Sequence, residues 1–166
     1  MQKLRSTVQE KGSKKIAWID ESGFKSHAYR AHGWGRRGVK VHGERPGKRE
    51  KQTNLITAKQ GKRLLAPVLY QCSTTALWFN QWLEEHLFGE LEENSTLILD
   101  NACFHQKGAI TDLAKQKGHD VLFLPPYSPD LNPIEKVFAI LKKRRIYAPP
   151  GTTLDQIVKS YGSFLE

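Results

Sequence analysis

The sequence predicts an α/β fold in which a mixed five-stranded sheet is flanked by helices. Three observations carry this expectation. Lys15–Ser22 (KIAWIDES), Ser95–Asp100 (STLILD) and His119–Leu124 (HDVLFL) are short apolar runs of strand length, as buried central strands should be. Gln52–Ala58 and Arg63–Gln71 read as two further strands that meet at Gln60-Gly61-Lys62, a hairpin signature. Helical patterns then separate the later strands, and βαβ units build parallel pairing behind an antiparallel front.

The 166 residues suffice for one domain with a real core, and 39% hydrophobic against 26% charged residues describes a globular chain. No window approaches the roughly 20 apolar residues of a membrane span. The start, MQKLRSTVQEKGSKK, lacks the apolar stretch of a secretory signal. Cys72 and Cys103 do not make a disulfide framework, so a reducing, cytoplasmic setting is expected.

Charge narrows the function. The net charge is +9, and Arg36–Arg63 alone holds ten Lys/Arg against two acids. Two further basic clusters lie in the first fifteen residues and in Lys136–Arg145, whereas acids gather in Glu84–Glu93. A single charge run is as often a solvated face, but three in a basic chain point to nucleic acid. This signal speaks of binding and not of chemistry.

Residues 1–14 are polar and are expected to form a frayed arm ahead of a single domain, 15–166. Residues 23–50 are rich in Gly, Arg and His and read as an irregular basic insertion. Thr74–Phe88 has a helical stripe of Leu77, Trp78, Trp82, Leu83 and His86/Leu87. Gln106–Lys117 is a helix with Gly118 as its C′ residue. In LPPYSPDLNPIEKVFAILKKRR (124–145), Asn132 suits an N-cap and Pro133 the first helical position. Ile134, Val137, Phe138 and Leu141 form that helix's apolar face. After Pro149-Pro150-Gly151, Thr152–Leu165 reads as a last helix, with Leu154, Ile157, Val158 and Tyr161 inward.

Three acids stand out. Asp20 closes the first strand and Asp100 the fourth, and sites in α/β folds gather at the carboxyl ends of parallel strands. Glu135 lies in the first turn of the helix after the fifth strand. It also occupies a capping-box position relative to Asn132. Carboxylates brought together repel unless a cation sits among them, and Mg²⁺ accepts a few carboxylates while phosphate and water complete its shell. Two such ions about 4 Å apart activate an attacking oxygen and stabilise a leaving one. Carboxylates for metal and Lys/Arg for the backbone are what phosphoryl transfer on DNA requires.

WIDESGF (18–24), LILDNACFH (97–105) and LPPYSPDLNPIEKVFAILKKR (124–144) resemble the three catalytic blocks of DDE-type transposases. The branch is the mariner superfamily, in its bacterial insertion-sequence members. Thirty-four residues separate Asp100 from Glu135, the spacing of that branch. The resemblance implies a ribonuclease H-like fold with Asp20, Asp100 and Glu135 holding two Mg²⁺, or Mn²⁺ in their place. It implies cleavage of DNA at the element's ends and joining of the freed 3′-OH to target DNA. Double-stranded DNA, both element ends and target, is then the partner, and a homodimer is expected because two ends must be brought together. Nothing ahead of Lys15 resembles the helix-turn-helix modules of complete members. The chain is therefore expected to be a catalytic fragment or the downstream product of a split frame, with an upstream polypeptide supplying recognition.

Neighbouring residues have bland readings beside the sharp ones. Glu21 is an alternative ligand to Asp20, but strand alternation turns the two apart. Asn101 orients Asp100 or a metal-bound water, or simply forms a turn; Asn132 steadies the start of the Glu135 helix. Asp100, Cys103 and His105 match no standard zinc spacing. Asp130 belongs to turn chemistry, and Asp112 and Asp120 to the surface. The DNA-contacting candidates are Arg36, Arg37, Lys48, Arg49, Lys51, His105, Lys142 and Arg145. Of these, Lys142 lies seven residues after Glu135 on the same helix side. Trp34 is a candidate stacking residue. Two rival functions remain: a related nuclease that cuts without joining, and an idle DNA-binding remnant regulating a full-length transposase.

Overall fold

The computed structural model describes residues 2–25, 51–102, 106–125 and 131–161, with side chains from Ser6 onward. Its elements, in order, are α1 (Gln2–Lys11), β1 (Ile16–Lys25), β2 (Gln52–Gln60), β3 (Arg63–Tyr70), α2 (Ala76–Trp82), β4 (Thr96–Leu99), α3 (Lys107–Gln116), β5 (Asp120–Phe123), α4 (Ile134–Tyr147) and α5 (Leu154–Lys159). The strands form one sheet in the order β3-β2-β1-β4-β5. Pairing of β1 with β2 and of β2 with β3 is antiparallel, whereas β4 pairs parallel with both β1 and β5. The hairpin turns at Gly61-Lys62 with Gly61 at φ 58°, a left-handed value that glycine adopts at no steric cost.

Strand alternation divides the core into two layers. Ile19, Ile56, Ala58, Leu97 and Leu99 face α2 and α3, packing on Phe79, Trp82, Leu83, Leu87, Ile110 and Ala114. On the other face, Phe24 and Leu55 meet Ile134, Val137, Phe138 and Leu141 of α4 and Ile157, Val158 and Tyr161 of α5. Ile16, Ile98 and Leu124 extend that layer, and Val8 of α1 covers them. The expected apolar faces of α4 and α5 are thus the buried ones. Among the described residues, no helix is long and apolar enough to cross a membrane.

Four local expectations are corrected. Residues 2–11 form a helix and not an irregular arm, anchored by Val8 and by Lys11, whose ammonium binds Asp120 at 2.6 Å and the Asn94 carbonyl at 3.3 Å. The first strand runs past Ser22 to Lys25, because Gly23, Phe24 and Lys25 keep pairing with Asn54, Thr53 and Gln52; the basic insertion therefore begins three residues later than expected. Leu77 is 80% exposed and His86 is exposed, while Phe79 and Phe88 point inward. Leu83–Leu87 forms a π turn, with the Phe88 N–H bonded to the Leu83 carbonyl at 2.9 Å. The extra residue in that turn advances the inward position from His86 to Leu87 and Phe88. Gly118, at φ 78°, ends α3 as expected.

Candidate active site

Asp20 lies where a ladder ends, although its strand does not. The parallel pairing of β1 with β4 runs to Trp18 opposite Ile98. Continuing that register sets Asp20 level with Asp100, the first residue beyond β4. On the other side Asp20 pairs with Thr57 of β2. Ile16, Trp18 and Phe24 pack toward α1, α4 and α5, and Asp20 shares their parity. Its carboxylate consequently opens toward the start of α4.

The Asp20 carboxylate is half-buried. Its Oδ1 accepts the Glu21 N–H at 2.7 Å, and its Oδ2 lies 3.5 Å from the Asn132 side-chain amide. Its pKa is pushed up to about 7. Burial is the largest cause, the Glu21 N–H opposes it, and repulsion from Glu135, then Asp100, then Glu21 adds to it. The Asp20 carboxyl therefore feels the charge of both other acids singled out by sequence.

Asp100 is exposed, and its Oδ1 accepts the Ala102 N–H at 3.2 Å, an Asx-type turn that redirects the chain. Asn101 is exposed beside it. Asn132 is 4% exposed and works in two directions. Its Oδ1 accepts the Ile134 N–H at 3.3 Å, capping α4, while its amide turns toward Asp20. The Glu135 N–H closes the first turn on the Asn132 carbonyl at 3.2 Å, and the Glu135 side chain is left exposed. A full capping box forms instead at Thr153 and Gln156 of α5.

Glu21 turns to the opposite face, as alternation requires. Its Oε2 accepts the Tyr70 hydroxyl at 2.9 Å and the Thr74 hydroxyl at 2.7 Å. Sequence reading missed these partners, which lie about fifty residues on and carry no motif. Their only signal was the adjacency of Glu21 to Asp20.

Among the described residues, no three His, Cys, Asp or Glu side chains are gathered closely enough to hold a metal ion by themselves. Three carboxylates are a donor chemistry that would suit a hard cation keeping water and substrate oxygens in its shell. The Lys142 ammonium stands 5.7 Å from the centre of the Phe24 ring, on the β1 side of α4. Arg145 is half-buried, which lowers the pKa of its guanidinium, and Lys51 is exposed just before β2. Arg144 is committed to packing: it donates to the Ser160 carbonyl at 2.9 Å and Oγ at 3.2 Å, over the Tyr161 ring. Arg36, Arg37, Lys48, Arg49 and His105, with Trp34, Cys103 and Asp130, lie outside the described residues.

A sequence profile of the DDE superfamily endonuclease matches residues 15–158. The chain belongs to this family. The DDE domain superposes on the Mos1 strand transfer complex with a TM-score of 0.80 at 19% identity, covering 98% of this chain and 51% of that one. The Mos1 mariner paired end complex with Mn gives 0.77 at 19% identity, covering 99% and 53%. The catalytic domain of Mos1 mariner transposase gives 0.62 at 17% identity, covering 95% and 73%. At such identities the likeness shows the fold, which is ribonuclease H-like. The DDE domain spans about half the length of the first two of these chains. No curated protein matches it.

Proposed function

We propose that this chain is the catalytic domain of a transposase from the bacterial insertion-sequence branch of the mariner superfamily. It cuts double-stranded DNA at transposon ends and joins the freed 3′-OH to target DNA. The observation that supports this most is the placement of Asp20 level with Asp100 where the β1–β4 pairing ends, with Asn132, which precedes Glu135 at the start of α4, turning its amide toward Asp20. Two of the Mos1 structures are described as complexes with Mn and with Mg, in keeping with divalent metal use.

Asp20, Asp100 and Glu135 are the residues that would hold Mg²⁺ or Mn²⁺, as two ions. When bound, such ions supply Lewis acidity for activating the attacking oxygen and steadying the departing one. The chain's own work is positional. The Glu21 N–H orients Asp20, the Ala102 N–H orients Asp100, and the Asn132 cap fixes where Glu135 begins its helix. Asn101, beside Asp100, has a supporting role. Arg36, Arg37, Lys48, Arg49, Lys51, His105, Lys142 and Arg145 hold the backbone of the DNA, against which Lys142 is aimed by its place above Phe24. The chain acts on double-stranded DNA as a homodimer, which brings two ends together.

The deciding experiment incubates the protein with Mg²⁺ or Mn²⁺ and labelled duplexes carrying the ends of the element and its flanks. Nicked and joined products are expected, both abolished by Asp100→Ala. Nicks without joining would favour a simple nuclease. Binding that survives Asp100→Ala, with no product from either protein, would favour an idle DNA-binding remnant.

A further inference from the structure

We propose that Glu21 is a positioning residue for Asp20, clamped from the far face of the sheet by Tyr70 and Thr74. This rests on the reading of Asp20 as a metal ligand. Consecutive residues of β1 point to opposite faces, so Glu21 reaches into the α2 layer while Asp20 opens toward α4. Glu21 pairs with Ile56 of β2, and Ile56 pairs with Val68 of β3. The Glu21 carboxylate and the Tyr70 hydroxyl, 2.9 Å apart, therefore meet across β2. Thr74, in the segment leading into α2, donates to the same oxygen at 2.7 Å. The two hydroxyls stand 2.7 Å apart, and the Tyr70 ring packs against Trp78, tilted by 35° with centroids 4.3 Å apart. One side chain thus ties β1 to β3 and to the start of α2.

The tie reaches Asp20 through a single peptide unit. The N–H that orients Asp20 Oδ1 at 2.7 Å belongs to Glu21 itself. Rotating that peptide moves both side chains at once, so fixing Glu21 fixes the direction of the Asp20 carboxylate. Stability alone does not account for an acid here. The second oxygen, Oε1, is buried with no hydrogen-bond partner among the described residues, a costly arrangement that an apolar side chain would avoid. The clamp explains why an acid occupies the place nonetheless.

The test compares the parent chain with Glu21→Ala, Glu21→Gln, Tyr70→Phe/Thr74→Val and Asp20→Ala. Mn²⁺ binding is followed by the paramagnetic resonance of the free ion. The half-saturating Mn²⁺ of single-turnover DNA cleavage and the thermal unfolding midpoint are read alongside. Removing both hydroxyls is expected to weaken Mn²⁺ binding about tenfold, as for residues that orient a metal ligand, while unfolding stays cooperative. Glu21→Gln keeps an acceptor for both hydroxyls and is expected to stay near the parent, with Glu21→Ala well below it. A folded double variant that binds Mn²⁺ like the parent overturns the positioning role, as does Glu21→Gln behaving like the double variant. Should Glu21→Ala fail to fold, the double variant and Glu21→Gln decide. If Asp20→Ala keeps the metal, or the parent neither binds Mn²⁺ nor cleaves, the proposed function itself falls. If Asp20→Ala loses the metal while the double variant keeps it, only the role of Glu21 falls.

Discussion

Asp20 carries a proton at a cost that changes with pH. Its folded pKa, about 7, lies above the unfolded value of 3.8, so the folded state holds the proton more tightly. The stability this contributes is complete below the unfolded pKa and is lost as pH rises toward 7. Thermal unfolding in a chelator should therefore show the midpoint falling between about pH 4 and pH 7, and Asp20→Asn should flatten that slope. A parent slope no steeper than that of Asp20→Asn would contradict the assignment, since His119, whose pKa burial lowers, titrates in the same window with the opposite sign. Asp100→Ala should lower single-turnover cleavage by at least about a thousandfold, the scale of losing transition-state charge stabilisation, while DNA affinity stays close to the parent's. Asp100 and Glu135 were legible from spacing and from their places at element ends. The Asp20 environment was not, because its burial and its Glu21 N–H depend on neighbours contributed by three strands and α4.

At the scale of elements, caps separate stability from chemistry. Asn132→Ala removes the acceptor for the Ile134 N–H and is expected to cost about 1 kcal/mol, measured by chemical unfolding, together with a loss of cleavage. Thr153→Ala breaks the capping box of α5 at about the same cost but should leave cleavage unchanged once the protein is folded. Equal effects of the two on cleavage would deny Asn132 any part in the site. In the opposite layer, Leu83→Ala should cost about 3 kcal/mol, since Leu83 is fully buried at the start of the π turn. The apolar period made α4 and α5 readable, and Gly118 marked the end of α3. The π turn was hidden because one inserted residue shifts the stripe without altering its composition. The extension of β1 was hidden as well, since Gly23 weakens the strand pattern and its pairing partner lies some thirty residues on. In α1 the helix depends on docking through Val8 and Lys11, which a polar decapeptide does not advertise.

Over the whole molecule, the mixed topology was predictable because a hairpin preceded the βαβ units, and the five-stranded order follows from it. Which of the many basic residues serve DNA was far less predictable. Arg144, in the middle of a basic run, is spent on holding α5 to α4, whereas Lys142 stands over the Phe24 ring of β1. Lys142→Ala should reduce the slope of log affinity against log salt by about one unit, and Arg144→Ala should instead lower stability with little change in slope. Filter binding over a salt series distinguishes the two. The sheet also sorts charge. Among the described residues, Lys136, Lys142 and Lys143 are exposed on α4, whereas Glu84, Glu85, Glu92 and Glu93 are exposed between α2 and β4. This lopsided charge of the described residues gives them an electric moment across the plane of the strands. If a duplex is the partner, as proposed, such a moment adds a torque to the pull and turns the α4 side toward the phosphates before first touch. Removing the acids on the far side would then slow productive capture more than it would loosen the complex once formed.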